Sequence, residues 1–199
     1  MPENAAALND GLSSLRVDAA KIGKWNVGYF AAGFVFWVYA AFIGITFDLH
    51  VARVYWLVGT FFIFPMAVAF SHLFGADPFT KQNALGQLVG YTHMSVIALT
   101  FPLVIAAFFY KPEMLLLVMS IAYCIDFYVM TWAFGSPLFG IHAAARTVVV
   151  TIIWFAFPQH RSDALPIAVA VFYLATVSLV PALRKRWLFA HDITASRGN

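Results

Sequence analysis

Residues 122–151, AYCIDFYVMTWAFGSPLFGIHAAARTVVVT, determine how the rest of the chain is interpreted. They form two apolar runs joined by Gly135–Pro137, with one acid, Asp126, in the first run and one base, Arg146, in the second. Each charge lies ten positions from Ser136. If the runs are antiparallel helices that turn at Ser136, both side chains lie roughly 10–15 Å from the turn, given the helical rise per residue. We therefore expect the acid and the base to meet inside an apolar environment.

The composition of the chain is that of a membrane protein. Of its 199 residues, 62% are hydrophobic and only 11% are charged, and the mean hydropathy is +0.82. Soluble domains carry about 25% charged residues, so a water-solvated globule is a poor fit. Cys124 is the single cysteine, which excludes a disulfide within one chain and a cysteine-rich metal site.

Six apolar runs approach or exceed the 18 to 20 residues that cross a bilayer as a helix. We predict an all-α, polytopic membrane protein with a leader at residues 1–24, a six-helix transmembrane domain at 25–187 and a tail at 188–199. The predicted spans are Trp25–Thr46, Val51–Phe74, Leu88–Tyr110, Glu113–Phe134, Phe139–Phe157 and Leu165–Leu183.

The leader carries an amphipathic pattern. Leu8, Leu12, Leu15, Ala19 and Ile22 recur at spacings of four and three, with basic residues beside them. One interpretation is a short helix at the membrane interface; the other is a partly ordered polar segment before the first span. The leader lacks the apolar core of a signal peptide, so we expect none to be removed.

Basic residues predict the orientation of the chain. With the N-terminus inside, the inner segments hold eight Lys and Arg residues and the outer segments hold three, leaving aside the intramembrane Arg146. Positively charged loops stay in the cytoplasm. We therefore expect both termini to be cytoplasmic (N-in/C-in).

Histidines join the charged pair in a candidate polar site. His142 lies one helical turn from Arg146 on the same face, and His72 and His93 flank the loop between the second and third spans. In this topology Asp126, Arg146, His93, His142 and His72 converge on the cytoplasmic half of the membrane. We take these five as candidate ligand-binding or proton-relay residues.

Two interpretations of the charges stay open at this stage. An intramembrane charge costs about 2.5–3.5 kcal/mol on insertion scales, so an unpaired one facing lipid is disfavoured. Asp126 and Arg146 could line a polar cavity with the histidines, or they could form one buried salt bridge that fixes two helices in register. Three histidines and an acid are metal-ligand types, but no HExxH or other spacing motif accompanies them. We predict no metal ion and no cofactor.

Other features of the spans concern packing. Pro65 and Pro102 interrupt the second and third spans near mid-membrane and should kink both helices. Such kinks occur beside cavities and gates, and also in helices that only bend. Small residues four apart, such as Gly28 with Ala32 and Gly86 with Gly90, favour close helix packing. They are compatible with a homo-oligomer.

Part of the chain resembles a known family. The features concerned are FPMAVAFSHLFGADPF (64–79), QNALG (82–86), KPEMLLLVMSIAY (111–123) and the aromatic run before Gly135. Over residues 64–150 the chain resembles an uncharacterised family of small bacterial multi-pass membrane proteins (a domain of unknown function). The resemblance implies a multi-pass topology and transfers no activity and no catalytic residues.

Three functional hypotheses follow. The first is a bacterial inner-membrane protein that binds or transports a small solute through the polar site, with proton coupling through Asp126 or His93. The second is an intramembrane enzyme, metal-assisted or not, that acts on lipid through His72, His93, Asp126 and His142. The third is a structural or partner-binding subunit. The lipid bilayer is the expected environment, and no nucleic-acid partner is expected.

Overall fold

The computed structural model describes residues 2–197, and the side chains of residues 10–191. This part of the chain is helical and contains no β-strand. Short 3₁₀ turns occur at Lys24–Asn26, Pro112–Met114 and Pro158–His160. The α-helices are α1 (Pro2–Ile22), α2 (Val27–Thr46), α3 (Leu49–Leu73), α4 (Ala84–Tyr110), α5 (Leu115–Ala122), α6 (Phe127–Phe134), α7 (Leu138–Ala156) and α8 (Ala164–Arg197).

Six helical segments in the described residues are long and apolar enough to cross a membrane, which confirms the predicted number of spans. They are Lys24–Thr46, Leu49–Leu73, Ala84–Tyr110, Pro112–Phe134, Leu138–Ala156 and Ala164–His191. The third begins four residues before its predicted start, because Asn83 caps α4 by accepting a hydrogen bond from the Gly86 N–H at 3.0 Å. The protein is therefore a multi-pass, all-α membrane protein.

The fourth span is broken in its middle, which the sequence did not predict. Helix α5 ends at Ala122 and α6 begins at Phe127. Between them, backbone hydrogen bonds join residues three positions apart instead of the four of an α-helix. Ile125 N–H donates to the Ala122 carbonyl at 3.3 Å, and Phe127 N–H donates to the Cys124 carbonyl at 3.1 Å. No Pro or Gly marks the break. The predicted fourth span is therefore present but consists of two short helices, and Asp126 lies on the turn that connects them.

Helix α2 is the central element of the bundle. Its glycines allow close approach to both neighbours: a Cβ on Gly28 would overlap Ser71 of α3, and one on Gly33 would overlap the Tyr173 ring of α8. The large buried side chains of α2, Trp37 and Phe36, fill the interior beside these contacts. The predicted role of Gly28 in packing is therefore seen directly.

Helices α3 and α4 are packed differently. Although consecutive in the chain, they hardly contact one another, and they are the two least buried spans. Rings of Phe61 and Phe101, with centroids 6.3 Å apart, meet across the gap. Each helix contains a proline, Pro65 or Pro102. The gap leaves room for a cavity on this side of the bundle.

Helix α1 packs across one end of the bundle, which we call the terminal face. Ala19 and Ala20 are fully buried there. Arg16 Nη2 donates to the Trp132 carbonyl at 2.7 Å, and Asn83 Nδ2 donates to the Leu15 carbonyl at 2.8 Å. The chain then enters α2 through a left-handed turn at Lys24–Asn26. These contacts tie α1 to the ends of α4 and α6.

The close approach at Gly28 gives a stability prediction. We expect Gly28→Ala to lower the free energy of unfolding by about 1–3 kcal/mol, because the added methyl group must push the Ser71 backbone away. Thermal unfolding of the detergent-purified protein measures this. The control is Gly90→Ala, where an added Cβ meets no atom within 4 Å and the helix should be unaffected or slightly stabilised. Equal thermal stability of Gly28→Ala and wild type would contradict the packing described.

Candidate functional site

A cavity of about 460 Å³ lies beside the gap between α3 and α4. Side chains of α2, α3, α4 and the broken fourth span form its walls, and Tyr173 of α8 closes one side. It runs from Asn26, near the terminal face, to Trp37 and Phe101 in the interior. Ten aromatic residues line it: Tyr29, Phe30, Phe36, Trp37, Phe61, Phe64, Phe101, Tyr123, Phe127 and Tyr173.

One acid and one histidine line this cavity, and they contact each other. His93 Nδ1 lies 2.7 Å from Asp126 Oδ2. The break in the fourth span provides the acid and α4 provides the imidazole. Asp126 is 2% exposed, whereas the His93 side chain is 20% exposed. The contact is a strong hydrogen bond with a neutral imidazole and an ion pair with a protonated one.

The second carboxylate oxygen of Asp126 has no partner. Oδ1 is buried, and no described residue donates a hydrogen bond to it. None of the described residues that line the cavity is Lys or Arg. A buried acceptor without a donor is costly, and a water molecule or a ligand can supply the missing hydrogen bond. The unpartnered oxygen therefore makes Asp126 the polar centre of the cavity.

Arg146 forms a second buried cluster on α7. The residue is fully buried, and its guanidinium carbon lies 5.4 Å from the Phe127 ring centroid and 5.2 Å from that of Tyr173. Nη1 is 3.5 Å from His142 Nε2. Nε and Nη2 have no hydrogen-bond partner among the described residues. Both aromatic rings lie within cation–π distance of this charge and help to stabilise it.

His142 is held within that second cluster. Its Nδ1 lies 2.6 Å from the Thr176 hydroxyl on α8, and it is buried against the rings of Phe127 and Tyr173. Thr176 also donates to the Phe172 carbonyl at 3.0 Å. With its hydroxyl proton used there, Thr176 accepts from His142 Nδ1–H, which leaves Nε2 of a neutral imidazole to accept from Arg146.

The expected meeting of Asp126 and Arg146 does not occur as an ion pair. Within the described part of the chain, Asp126 pairs with His93, and Arg146 contacts His142 and the two rings. Helix spacing sets depth but not the direction of a side chain, and the turn before Phe127 aims the carboxylate at α4. Phe127 and Tyr173 line the cavity and also contact Arg146, so they connect the two clusters.

His72 stands apart from both clusters. It is exposed at the end of α3 and is not a lining residue of the cavity. Among the described residues, no group of three His, Cys, Asp or Glu side chains is close enough to hold a metal ion. The metal-assisted form of the enzyme hypothesis therefore has no ligand set in this part of the chain.

The neutral polar residues that line the cavity were not predicted from the sequence. The Tyr29 ring packs edge-on against His93, with centroids 5.4 Å apart, and Tyr123, Tyr173 and Asn26 also line the space. Tyrosines are common in apolar runs and carry no spacing signal. The one usable hint was Gly33, since a glycine in a packed span allows a ring such as that of Tyr173 to lie against the backbone.

The loop at 74–83 borders the terminal-face end of the cavity. The Tyr29 hydroxyl donates to the Pro78 carbonyl at 3.3 Å, and Asp77 accepts from the backbone N–H groups of Phe79 at 3.0 Å and Lys81 at 3.2 Å. Partial burial raises the pKa of Asp77, but these backbone hydrogen bonds outweigh it and hold the pKa below its usual value. The carboxylate that shapes this loop is thus charged at neutral pH.

Comparison with known proteins gives one match. The model of a family of unknown function (DUF7010) matches residues 12–182. The search of curated proteins and the search of solved structures returned no match. The match covers α2 to α7 entirely, including both polar clusters, and assigns no role to either.

The pairing of Asp126 can be tested by double-mutant cycles. We expect Asp126→Leu and His93→Leu to be coupled by about 1–3 kcal/mol in the free energy of unfolding, because they share a buried hydrogen bond. Asp126→Leu and Arg146→Leu should be coupled more weakly. Thermal and denaturant unfolding in detergent give both values. A larger coupling to Arg146, or recovery of stability by exchanging Asp126 and Arg146, would contradict the described pairing.

Proposed function

We propose that this chain, which belongs to a family of unknown function (DUF7010), binds a small, mainly apolar solute in the cavity. We further propose that it carries the solute across the membrane with proton coupling through the His93–Asp126 pair. The observation that carries the proposal is the unpartnered Oδ1 of Asp126, buried on the wall of a cavity of about 460 Å³. Ligand pockets typically combine an apolar wall with a few polar groups that orient the ligand.

The broken fourth span supports a transport role. Discontinuous helices commonly form substrate and ion sites in secondary transporters, because their unwound backbone supplies polar groups inside the membrane. Here the break lies beside the cavity, and Asp126 is its last residue. The prolines of α3 and α4 lie in the two helices that flank the gap. Changes of helix bend at these prolines would open or close the cavity.

The gap between α3 and α4 supports entry from the bilayer. Met94 and Ala98 of α4 are exposed and line the cavity, and we propose that the cavity opens to the lipid at these residues. A mainly apolar solute concentrates in the hydrocarbon, which favours this route over one through water.

The distribution of charges and the family resemblance support a proposal for the orientation and location of the protein. We propose that the terminal face is cytoplasmic, since basic residues such as Arg16, Lys24 and Arg184 gather there. The membrane would be the bacterial inner membrane. In this orientation the His93–Asp126 pair lies in the cytoplasmic half of the bundle.

Filling the cavity tests the proposal. We expect Ala98→Trp to weaken binding of the neutral probe phenylbutanol at least about tenfold, because the indole occupies the cavity beside Met94. The control is Ala106→Trp, which lies on the same helix, is also exposed and does not line the cavity. Isothermal titration calorimetry of the protein in nanodiscs gives the affinities.

The outcome separates the cavity from nonspecific partition into lipid. Binding that is saturable, weakened by Ala98→Trp and unchanged by Ala106→Trp supports a solute site. Equal uptake by wild type, both variants and empty nanodiscs would overturn the proposal.

A further inference from the structure

We infer that the solute is a hydrophobic ammonium ion, and that its charged group binds Asp126 in exchange for the proton of His93. This inference rests on the proposed function of the cavity and names the chemical class of its ligand.

The charged part of the cavity wall favours a positively charged ligand. Asp126 is its single acid, and Oδ1 is the buried atom that lacks a partner. The described lining contains no Lys or Arg that could hold an anion. An ammonium group offers several N–H donors and a positive charge, so it would complete the carboxylate with charge-assisted hydrogen bonds. A carboxylate or phosphate ligand would instead meet a like charge.

Aromatic rings surround the position where the ammonium would lie. Tyr29 packs on His93 at 5.4 Å between ring centroids, and Phe127 follows Asp126 directly in the chain. Tyr123 and Tyr173 also line the same space. Ring faces attract organic cations, and an acid combined with several rings is a typical environment for an alkylammonium ion. The remaining apolar wall, towards Phe61 and Phe101, would hold the hydrophobic part of the ligand.

The charges behind the wall set a limit on how many cations the site holds. Arg146 lies against Phe127 and Tyr173, two residues that also line the cavity, and the neighbouring His142 is hydrogen-bonded to Thr176. With His93 neutral, Asp126 and Arg146 together carry no net charge. A protonated His93 adds one positive charge, and so does a bound ammonium; having both would leave two excess positive charges in the apolar interior.

The ammonium and the His93 proton therefore compete. Where His93 carries a proton, ligand binding would release that proton to water, and the neutral imidazole would stay hydrogen-bonded to Asp126. Tyr29, Tyr123 and Tyr173 are the other titratable groups that face this pair in the described cavity, and they are neutral in the range concerned. Binding of the cation should thus strengthen as the pH rises and release protons.

Three probes of equal shape test the inference: phenylbutylammonium, phenylbutanol and phenylbutyrate. Calorimetric titrations use the full chain in zwitterionic nanodiscs, in two buffers of different ionisation enthalpy, from about pH 5.5 to about pH 8.5. We expect the ammonium probe to bind at least about tenfold more tightly than the alcohol, and the carboxylate most weakly. Its affinity should rise with pH and its binding should release protons, whereas binding of the alcohol should do neither.

Variants assign the effects to the two residues. Asp126→Asn should reduce the affinity for the ammonium probe to that for the alcohol. His93→Gln should keep the preference for the ammonium and abolish proton release. Asp18→Asn and His72→Gln are matched controls, since both residues are exposed and lie outside the cavity lining; both variants should behave as wild type. If Asp126→Asn fails to fold, the pH dependence and the His93→Gln variant still decide the question.

The outcomes distinguish the inference from the proposal on which it rests. If phenylbutanol and phenylbutylammonium bind equally well and without proton release, the cavity binds solutes but the ammonium inference is wrong. A preference for phenylbutyrate would also overturn it and would favour a role for Arg146 in anion binding. If none of the three probes binds saturably, the proposed function fails as well.

Discussion

The interior of this bundle is governed by the cost of placing ionisable groups where water is absent. Asp126 and Arg146 are both almost completely buried, and each would be expelled from hydrocarbon unless polar or aromatic groups stabilise it. The protein meets this requirement in two separate places. Asp126 contacts a histidine of α4. Arg146 contacts a histidine of its own helix and two aromatic rings. In the first of these arrangements, the turn that breaks the fourth span places Asp126 against His93 of α4.

The two clusters are separate in their hydrogen bonds but share a wall. Phe127 and Tyr173 line the cavity and also contact the Arg146 guanidinium. Phe127 follows Asp126, so a change in the turn moves both the carboxylate and one of the rings. Tyr173 lies against Gly33 of the central helix. A ligand that displaces these rings would therefore alter the environment of Arg146. Its binding could in this way affect the packing of α7 and α8.

The sequence predicted the fold well and the site only in part. Hydropathy located all six spans, because bilayer thickness fixes the length of an apolar helix. Spacing from Ser136 correctly marked Asp126 and Arg146 as the unusual charges, but it did not identify their partners. A contact requires the right rotation about the helix axis as well as the right depth, and each residue turns the helix by about 100°. The break at Tyr123–Asp126 changes that rotation, and no proline or glycine in the sequence indicates the break. The contact of His93 with Asp126 depends on how α4 lies across the gap, which local sequence does not encode.

A purely structural role for Asp126 is hard to reconcile with its surroundings. A buried ion pair that only fixes helix register is stabilising when both oxygens of the acid accept hydrogen bonds. Well-packed apolar residues at the same positions often stabilise a bundle at least as well. Here one oxygen lacks a donor, the adjoining helix is broken, and the space beside it is open rather than packed. Each of these three features weakens a bundle, and all three occur at the same position. Local losses of stability that coincide in this way are typical of sites where a protein binds something, since the ligand restores the missing contacts.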